Sequence, residues 1–328
     1  MSGTVFVTGG AGYIGAHCCK AFAKAGWEVV TYDNLSRGWR DFVRWGPLIE
    51  GDILDETRLQ DAMLSVKPDI VAHFAALAYV GESVEKPDIY YRNNCAGSLA
   101  VLDAMRRAGV SRLLFSSTCA IYGAPVTMPI GEDHSQSPIN PYGWSKLLVE
   151  RMIADYGAAF DLNAVMLRYF NAAGADREGL IGERHQPETH VIPLAISSAL
   201  TGAIFRVFGR DFETRDGSAI RDYVHVDDLA DAHLLALTYL ANGGASAMFN
   251  LGTGHGTSVL EIIDAVERIS GRALNRIVAA RRPGDPPGLV ATSDKARRVL
   301  GWRPSHSDID NIVESAWRWH TQESSSRP

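Results

Sequence analysis

A turn with glycines at 9, 12 and 15 constrains this chain more than any other stretch: Val5-Phe-Val-Thr-Gly-Gly-Ala-Gly-Tyr-Ile-Gly15. Its apolar opening, Val5-Phe6-Val7, reads as a buried strand, and the pattern after Gly15 predicts a helix through Ala16–Ala25. Such a strand–turn–helix lets backbone approach a pyrophosphate closely and aims unpaired helix N–H groups at negative charge. Glycine also marks ordinary turns, so the context decides. A second strand, Glu28–Tyr32, comes next and ends in Asp33, about twenty residues beyond the glycines. A carboxylate there accepts hydrogen bonds from an adenosine ribose diol and repels a 2′-phosphate. Arg37 nearby is a weak counter-argument. The expectation is a dinucleotide site built on Gly9, Gly12, Tyr13, Ile14, Gly15 and Asp33, for NAD rather than NADP.

The bulk of the chain agrees with a large α/β enzyme. Its 328 residues suggest about two domains with sizeable cores. A net charge of −6 argues against a nucleic-acid surface and leaves room for local basic pockets. Cysteines 18, 19, 95 and 119 lack paired metal-ligand spacing and read as reduced thiols. The first strand begins within a few residues of Met1, which leaves no room for a signal peptide, and no apolar run is long enough to span a bilayer. A cytoplasmic protein is expected.

Further strands are predicted at Leu48–Asp52, Asp69–His73, Arg112–Thr118 and Leu162–Leu167, with helices near Asp55–Val66 and Asp88–Arg107 between them. Asp52 either meets an adenine amino group, with Ile53 over the ring, or caps the next helix through its neighbours. Phe74-Ala75-Ala76 comes after the fourth strand, where small residues let a ligand lie against backbone. Ser116, Ser117 and Thr118 end the fifth strand; hydroxyls there either cap a turn or bond a substrate. Asn140 and Pro141 are suited to open a helix. On that helix Tyr142 and Lys146 lie four apart and share a face. An ammonium beside a phenol favours the phenolate and makes it a usable proton acceptor, although this spacing also recurs by chance.

The βαβ rhythm breaks after Arg168-Tyr169-Phe-Asn171. Residues 175–190 are polar and contain His185 and His190, which show no helical or tight loop pairing; loop residues touching substrate are expected there and no metal. Later come helices at His190–Thr201, Asp228–Leu240 and Val259–Ile269, strands at Phe205–Phe208 and Met248–Leu251, and a closing amphipathic helix. Trp317 and Trp319 on that last helix read as packing. The architecture expected is a doubly wound parallel (Rossmann) sheet over 1–170 and about 221–250. A smaller α+β part, from about 171–220 and 251–328, would leave a ligand cleft between the two.

Taken together, these segments resemble the extended short-chain dehydrogenases/reductases, and within them the UDP-glucose 4-epimerase family. The likeness runs through Thr8–Gly15, Asp33-Asn34-Leu35, Gly51-Asp-Ile53, Gly81–Val84, Phe115–Thr118 with Tyr122-Gly123, Asn140–Gly143 with Ser145-Lys146, and Leu167–Asn171. Downstream it continues through Arg221–Val226, Asn250–Gly254 and Arg282-Pro-Gly-Asp285. The resemblance implies a retained NAD, with Asn34, Asn93, Ser116, Tyr169, Phe74, Ala75 and Ala76 among its contacts. It implies that Tyr142 takes the proton of the sugar 4-hydroxyl, that Lys146 holds the nicotinamide ribose, and that Thr118 bonds the 4-oxygen. Asn171, His190, Arg221, Arg282 and Asp285 would hold the UDP part, and the chain would form a homodimer.

Departures from the family pattern are Ala78 where Lys is frequent, His190 where Asn is frequent, and Leu289 where some relatives carry a bulky aromatic. The last suggests a sugar pocket roomy enough for an N-acetyl group. A 4,6-dehydratase needs an acid just after the strand-five hydroxyl, and Thr118-Cys-Ala-Ile-Tyr122 has none. A pentose 4-epimerase uses the same C4 chemistry and stays open. A non-catalytic dinucleotide sensor would not need Thr118, Tyr142 and Lys146 together.

Overall fold

The computed structural model describes residues 3–282 and 285–326. Its first half alternates strand and helix: β1 (Thr4–Thr8), α1 (Tyr13–Lys24), β2 (Glu28–Asp33), β3 (Leu48–Glu50), α2 (Glu56–Val66) and β4 (Ile70–His73). Then come α3 (Val80–Glu85), α4 (Pro87–Tyr90), α5 (Gly97–Ala108), β5 (Arg112–Thr118), α6 (Pro141–Phe160) and β6 (Asn163–Tyr169). The second half contains β7 (Asn171–Ala173), α7 (Val191–Thr201), β8 (Phe205–Phe208), β9 (Ile220–His225), α8 (Val226–Ala241) and β10 (Ala247–Leu251). It closes with β11 (Gly256–Ser258), α9 (Val259–Ser270), β12 (Arg276–Ala279), β13 (Gly288–Leu289), α10 (Asp294–Val299) and α11 (Ile309–Ser326).

Among the described residues one parallel sheet has seven strands in the order β10-β6-β5-β4-β1-β2-β3. The two-residue pleat sorts side chains to its two faces. Val5 and Val7 pack with Phe22 of α1 and Leu229 and Leu237 of α8, whereas Phe6 packs with Leu59 and Met63 of α2, Met105 of α5 and Val149 of α6. Apolar strands covered on both sides are what a doubly wound α/β layer requires. Chain order reverses between β1 and β4, so a crevice opens at their C-terminal ends. The N–H groups of Phe74 and Ala75 both donate to the Thr8 carbonyl there, at 2.9 and 3.1 Å.

A smaller sheet joins β11, β9 and β13, with β7 on the other end of β9. β9 lies in the 221–250 stretch expected to return to the large sheet, yet it pairs here instead. Only α8, against α1, and β10, beside β6, return to the first layer. A third apolar cluster gathers α7, α9 and α11 around Ile196, Ile262 and Val313. Trp319 is buried with Phe42 and Ala16, and Trp317 packs on the third cluster, in keeping with their reading as core.

The helix expected over Asp88–Arg107 is interrupted. A π-helical turn at Tyr91–Ala96 separates α4 from α5. Such a turn inserts one residue and rotates the helix beyond it. Here the buried Asn94 Oδ1 accepts the Leu77 N–H at 2.8 Å, while its Nδ2 donates to the Leu77 carbonyl and to Ser145 Oγ, each at 3.0 Å. That amide ties the loop after β4 to the start of α6.

Candidate active site

The glycine turn is tight for steric reasons. Gly9 has φ +75°, and a Cβ on it would lie 2.5 Å from the Ala75 nitrogen; one on Gly15 would lie 2.2 Å from the Gly9 carbonyl oxygen. Gly12 stands at the N-terminus of α1, where no side chain caps the helix and no acid occupies the first turn. The leading N–H groups are therefore unspent by side chains. Asp33, at the end of β2, is buried and accepts from the backbone N–H of Ala11 at 3.0 Å and of Leu35 at 2.8 Å. Burial raises its pKa, and those two backbone bonds pull the other way.

Neighbouring side chains complete this wall. Asp52 accepts from Asn34 Nδ2 at 2.9 Å and from the Leu54 N–H at 2.8 Å, and Asp55 caps α2. The capping alternative for Asp52 thus falls to Asp55, which leaves Asp52 beside Asn34 at the rim; Ile53 is buried against Gly97. Tyr13 turns from the glycine turn to donate to the Gly174 carbonyl at 2.5 Å, while Ile14 packs on the core. Phe74 stacks near His233 at 5.0 Å, and Asn93 Nδ2 donates to Asn94 Oδ1 at 2.9 Å.

Across the crevice, α6 begins as its sequence dictates: Asn140 Oδ1 accepts the Gly143 N–H at 2.8 Å and Pro141 takes the first turn. This sets Tyr142 and Lys146 on the inner face, both buried. Thr118 closes β5, where its Oγ1 accepts the Ala120 N–H at 3.1 Å, and its hydroxyl is near enough to the Tyr142 phenol to lower its pKa. Lys146 Nζ donates to the Ser116 carbonyl at 2.8 Å and lies 4.8 Å from the Phe115 ring centre. Ser116 Oγ and the Tyr169 hydroxyl are 2.5 Å apart.

The electrostatics differ from the simple ammonium–phenol expectation. Burial pushes the Tyr142 phenol up to about 12, with the nearby Thr118 hydroxyl as a smaller opposing effect, and it pulls Lys146 down to about 7. Lys146 is not among the influences on Tyr142, because its ammonium is turned to Ser116 and Phe115. Desolvation is the largest effect on each group.

Comparison with known proteins now fixes the family. Residues 5–252 match the NAD dependent epimerase/dehydratase family. The chain belongs to it. It is 54% identical over 97% of its length to a UDP-glucose 4-epimerase of Rhizobium leguminosarum bv. trifolii, of which 98% is covered. The solved UDP-glucose 4-epimerase of Brucella ovis in complex with NAD superposes with a TM-score of 0.94 at 50% identity, covering 96% of this chain and 97% of that one. That of Bifidobacterium longum, in complex with NAD+ and UDP, gives 0.93 at 35% identity and covers 99% and 100%.

NAD is the cofactor of this epimerase/dehydratase family, and the residues present fit it. An uncapped helix N-terminus above a glycine cradle suits a pyrophosphate, and the Asp33 carboxylate suits a ribose diol.

In the smaller sheet, Arg221 of β9 forms an ion pair with Asp285, and its Nη1 also donates to the Ile220 carbonyl at 2.7 Å. Arg282 lies in the same loop with its guanidinium 4.2 Å from the Phe208 ring centre; Pro283 and Gly284 of that motif lie outside the described residues. Asn171 starts β7 opposite Tyr223 of β9. Leu289 pairs with Arg221 and packs on the cluster of Ile121, Tyr122 and Phe170. His190 is drawn aside to Glu183 and His185, so the two histidines that looked unpaired in sequence are neighbours in space.

Sequence reasoning missed three supports of the site. Asn94 was indistinguishable from Asn93 until the π turn selected it. Glu150, one helical turn beyond Lys146, bonds Ser117 and forms a buried pair with Arg168. Tyr122 donates to Asn250 at 2.7 Å and thereby links the strand-five loop to β10. The i+4 spacing of Lys146 and Glu150 was a usable signal, because a carboxylate on the inner face of α6 requires a buried partner.

Proposed function

We propose that this protein interconverts UDP-galactose and UDP-glucose by NAD-dependent epimerisation at C4, through a transient 4-keto sugar. The observation that carries this reading is the convergence of Thr118, Tyr142 and Lys146 on the crevice beside the glycine turn. Its two close relatives named UDP-glucose 4-epimerase support it. Bound NAD supplies the hydride acceptor and donor at C4. Tyr142 takes the proton of the 4-hydroxyl and later returns it to the same oxygen. Thr118, beside the phenol, bonds the 4-oxygen and orients it toward Tyr142, so the proton has a short path to the phenol oxygen. Lys146 binds the nicotinamide ribose, and any cationic charge drawn into the site favours the phenolate.

Gly9, Gly12, Tyr13, Ile14, Gly15, Asp33, Asn34, Asp52, Ile53, Phe74, Ala75, Ala76, Asn93, Ser116 and Tyr169 hold the dinucleotide in this reading. Asn171, Arg221, Arg282 and Asp285 hold the UDP moiety, with the arginine forks suited to phosphate oxygens, whereas His190 is turned to Glu183. The larger sheet with its helices forms the NAD-binding part, and the elements around β9 and α9 form the substrate part. Purified protein mixed with UDP-galactose and no added NAD should yield a mixture rich in UDP-glucose, read from the anomeric proton signals. A folded, NAD-bound protein that leaves UDP-galactose, UDP-arabinose and UDP-GlcNAc unchanged would overturn the C4 assignment.

Two finer points belong to the same reading. Leu289 is smaller than the aromatic that some relatives carry at this position and would leave room for an N-acetyl group, so Leu289→Tyr should reduce turnover of UDP-GlcNAc more than of UDP-galactose; equal effects on both sink the idea. The chain pairs into a homodimer through α5 and α6, which leave Leu99, Trp144 and Leu148 exposed. Sedimentation should give twice the chain mass, and Leu99→Glu with Leu148→Glu should halve it. The four free cysteines fit a reducing, cytoplasmic location, and among the described residues no helix is long and apolar enough to cross a membrane.

A further inference from the structure

The polar segment before α7 folds back so that Glu183, His185, Glu188 and His190 each turn one ligand atom inward, all within 4.8 Å of one another. Glu183 is 3% exposed, yet among the described residues the ion partners of its carboxylate are only the two imidazoles. Glu188 likewise meets His185 and neither Lys nor Arg. The nearby arginines are engaged elsewhere: Arg184 stacks among Trp39, Phe42 and Trp319, and Arg37 pairs with Glu82. That carboxylate is balanced either by protons on the two imidazoles or by a bound cation that replaces them.

From this geometry we infer that Glu183, His185, Glu188 and His190 form a binding site for a zinc-class divalent cation. Two imidazole nitrogens and two carboxylate oxygens are a borderline-soft donor set, and a dication with two carboxylates and two neutral imidazoles is charge-balanced. Metal bonds of 2.0–2.2 Å put tetrahedral ligands about 3.4 Å apart. His185 Nδ1 lies 3.1 Å from Glu183 Oε1 and 3.9 Å from Glu188 Oε1, on either side of that value. The same nitrogen is buried and makes no aligned hydrogen bond, as expected of a lone pair aimed between two oxygens rather than along one.

The ligands are also held in place from behind. Trp319 Nε1 donates to the Glu183 carbonyl at 3.0 Å and Trp39 Nε1 to the Arg184 carbonyl at 2.8 Å. Glu188 Oε1 accepts the N–H groups of Thr189 and His190 at 2.7 and 2.8 Å, which fixes its carboxylate plane. Outer contacts of this kind orient ligands before metal arrives. With four protein ligands the site is closed, so its role is structural: it clips the loop beside Tyr13 and Tyr79, whose rings lie 6.1 and 5.5 Å from that of His185.

The test is metal uptake by the NAD-containing protein, stripped with a chelator, dialysed against zinc and analysed by elemental mass spectrometry. Wild type should retain one zinc per chain and melt at a higher temperature than its chelated form. His185→Gln and Glu188→Gln should each lose the zinc while keeping their circular dichroism and NAD content. His255→Gln, at an exposed position away from the cluster, should keep it. Cobalt-loaded wild type should show the visible bands of a four-coordinate site, absent from His185→Gln. Failure of wild type to retain zinc overturns the inference and leaves two imidazolium–carboxylate pairs instead. Equal retention by wild type and both cluster variants also overturns it.

Discussion

At the scale of single residues, burial sets the chemistry of the site. The Tyr142 phenol and the Lys146 ammonium are both taken out of water, and each is pushed toward its neutral form. The Ser116 carbonyl accepts a hydrogen bond from Lys146 and compensates for part of that loss, and the Thr118 hydroxyl opposes part of the shift in Tyr142. The proposed division of labour makes Tyr142 the group that changes protonation and Lys146 the group that binds. Tyr142→Phe should therefore lower kcat for UDP-galactose by roughly a hundred- to ten-thousand-fold, the range of a lost general acid–base group. The variant should retain its NAD, because the glycine cradle and Asp33 are untouched. If kcat falls less than tenfold while NAD is retained, another group moves the proton. Lys146→Met should instead deplete bound NAD, measured by absorbance of the purified protein.

Whole elements carry that constellation, and α6 is the clearest case. Asn140 caps its first turn and Tyr142 stands two residues further on, so cap and site are coupled. Asn140→Ala should cost about 1 kcal/mol of stability in denaturant unfolding, and Asn140→Asp should cost close to nothing. An equal loss in both variants would show that the cap bond is not what holds this turn. The cap was legible in sequence because Asn-Pro before an apolar run has a local meaning. The glycine turn, β1, β2 and β5 were legible for the same reason. The π turn at Tyr91–Ala96 was not, since it depends on Asn94 finding the Leu77 backbone seventeen residues away. β7, β9 and β13 were hidden too, because short strands of two to six residues gain their identity from partners distant in the chain. The meeting of Glu183, His185, Glu188 and His190 is likewise a product of the loop's fold rather than of any helical spacing.

For the molecule as a whole, the buried histidines make stability depend on acid in a direction that can be worked out. His73 lies between Thr8 Oγ1 and Ser98 Oγ, at 2.6 and 2.8 Å, and burial pulls it down to about 3. His225 and His233 are pulled down to about 4 by the same desolvation, and His17 is lowered as well. An unfolded imidazole titrates near 6.5. Below that pH the unfolded chain binds protons that the folded chain refuses, so stability falls as pH drops. His73, His225 and His233 each remove about 2 kcal/mol between pH 7.5 and 5, a large share of the stability of an ordinary domain. His185, raised against its burial to about 10 by Glu183 and Glu188, and His190, also raised, act oppositely in the same window, while Asp33 and Asp222, raised by burial, do so chiefly at lower pH. The lowered imidazoles outnumber the raised ones, so the denaturant midpoint should fall between about pH 7.5 and 5. His233 makes one backbone bond through Nδ1, and its Nε2 has no partner among the described residues, so it is the imidazole to remove. His233→Leu should flatten the slope by about one proton. An unchanged slope in that variant would mean that His233 charges without opening the fold, and the acid sensitivity would then belong to His73 and His225.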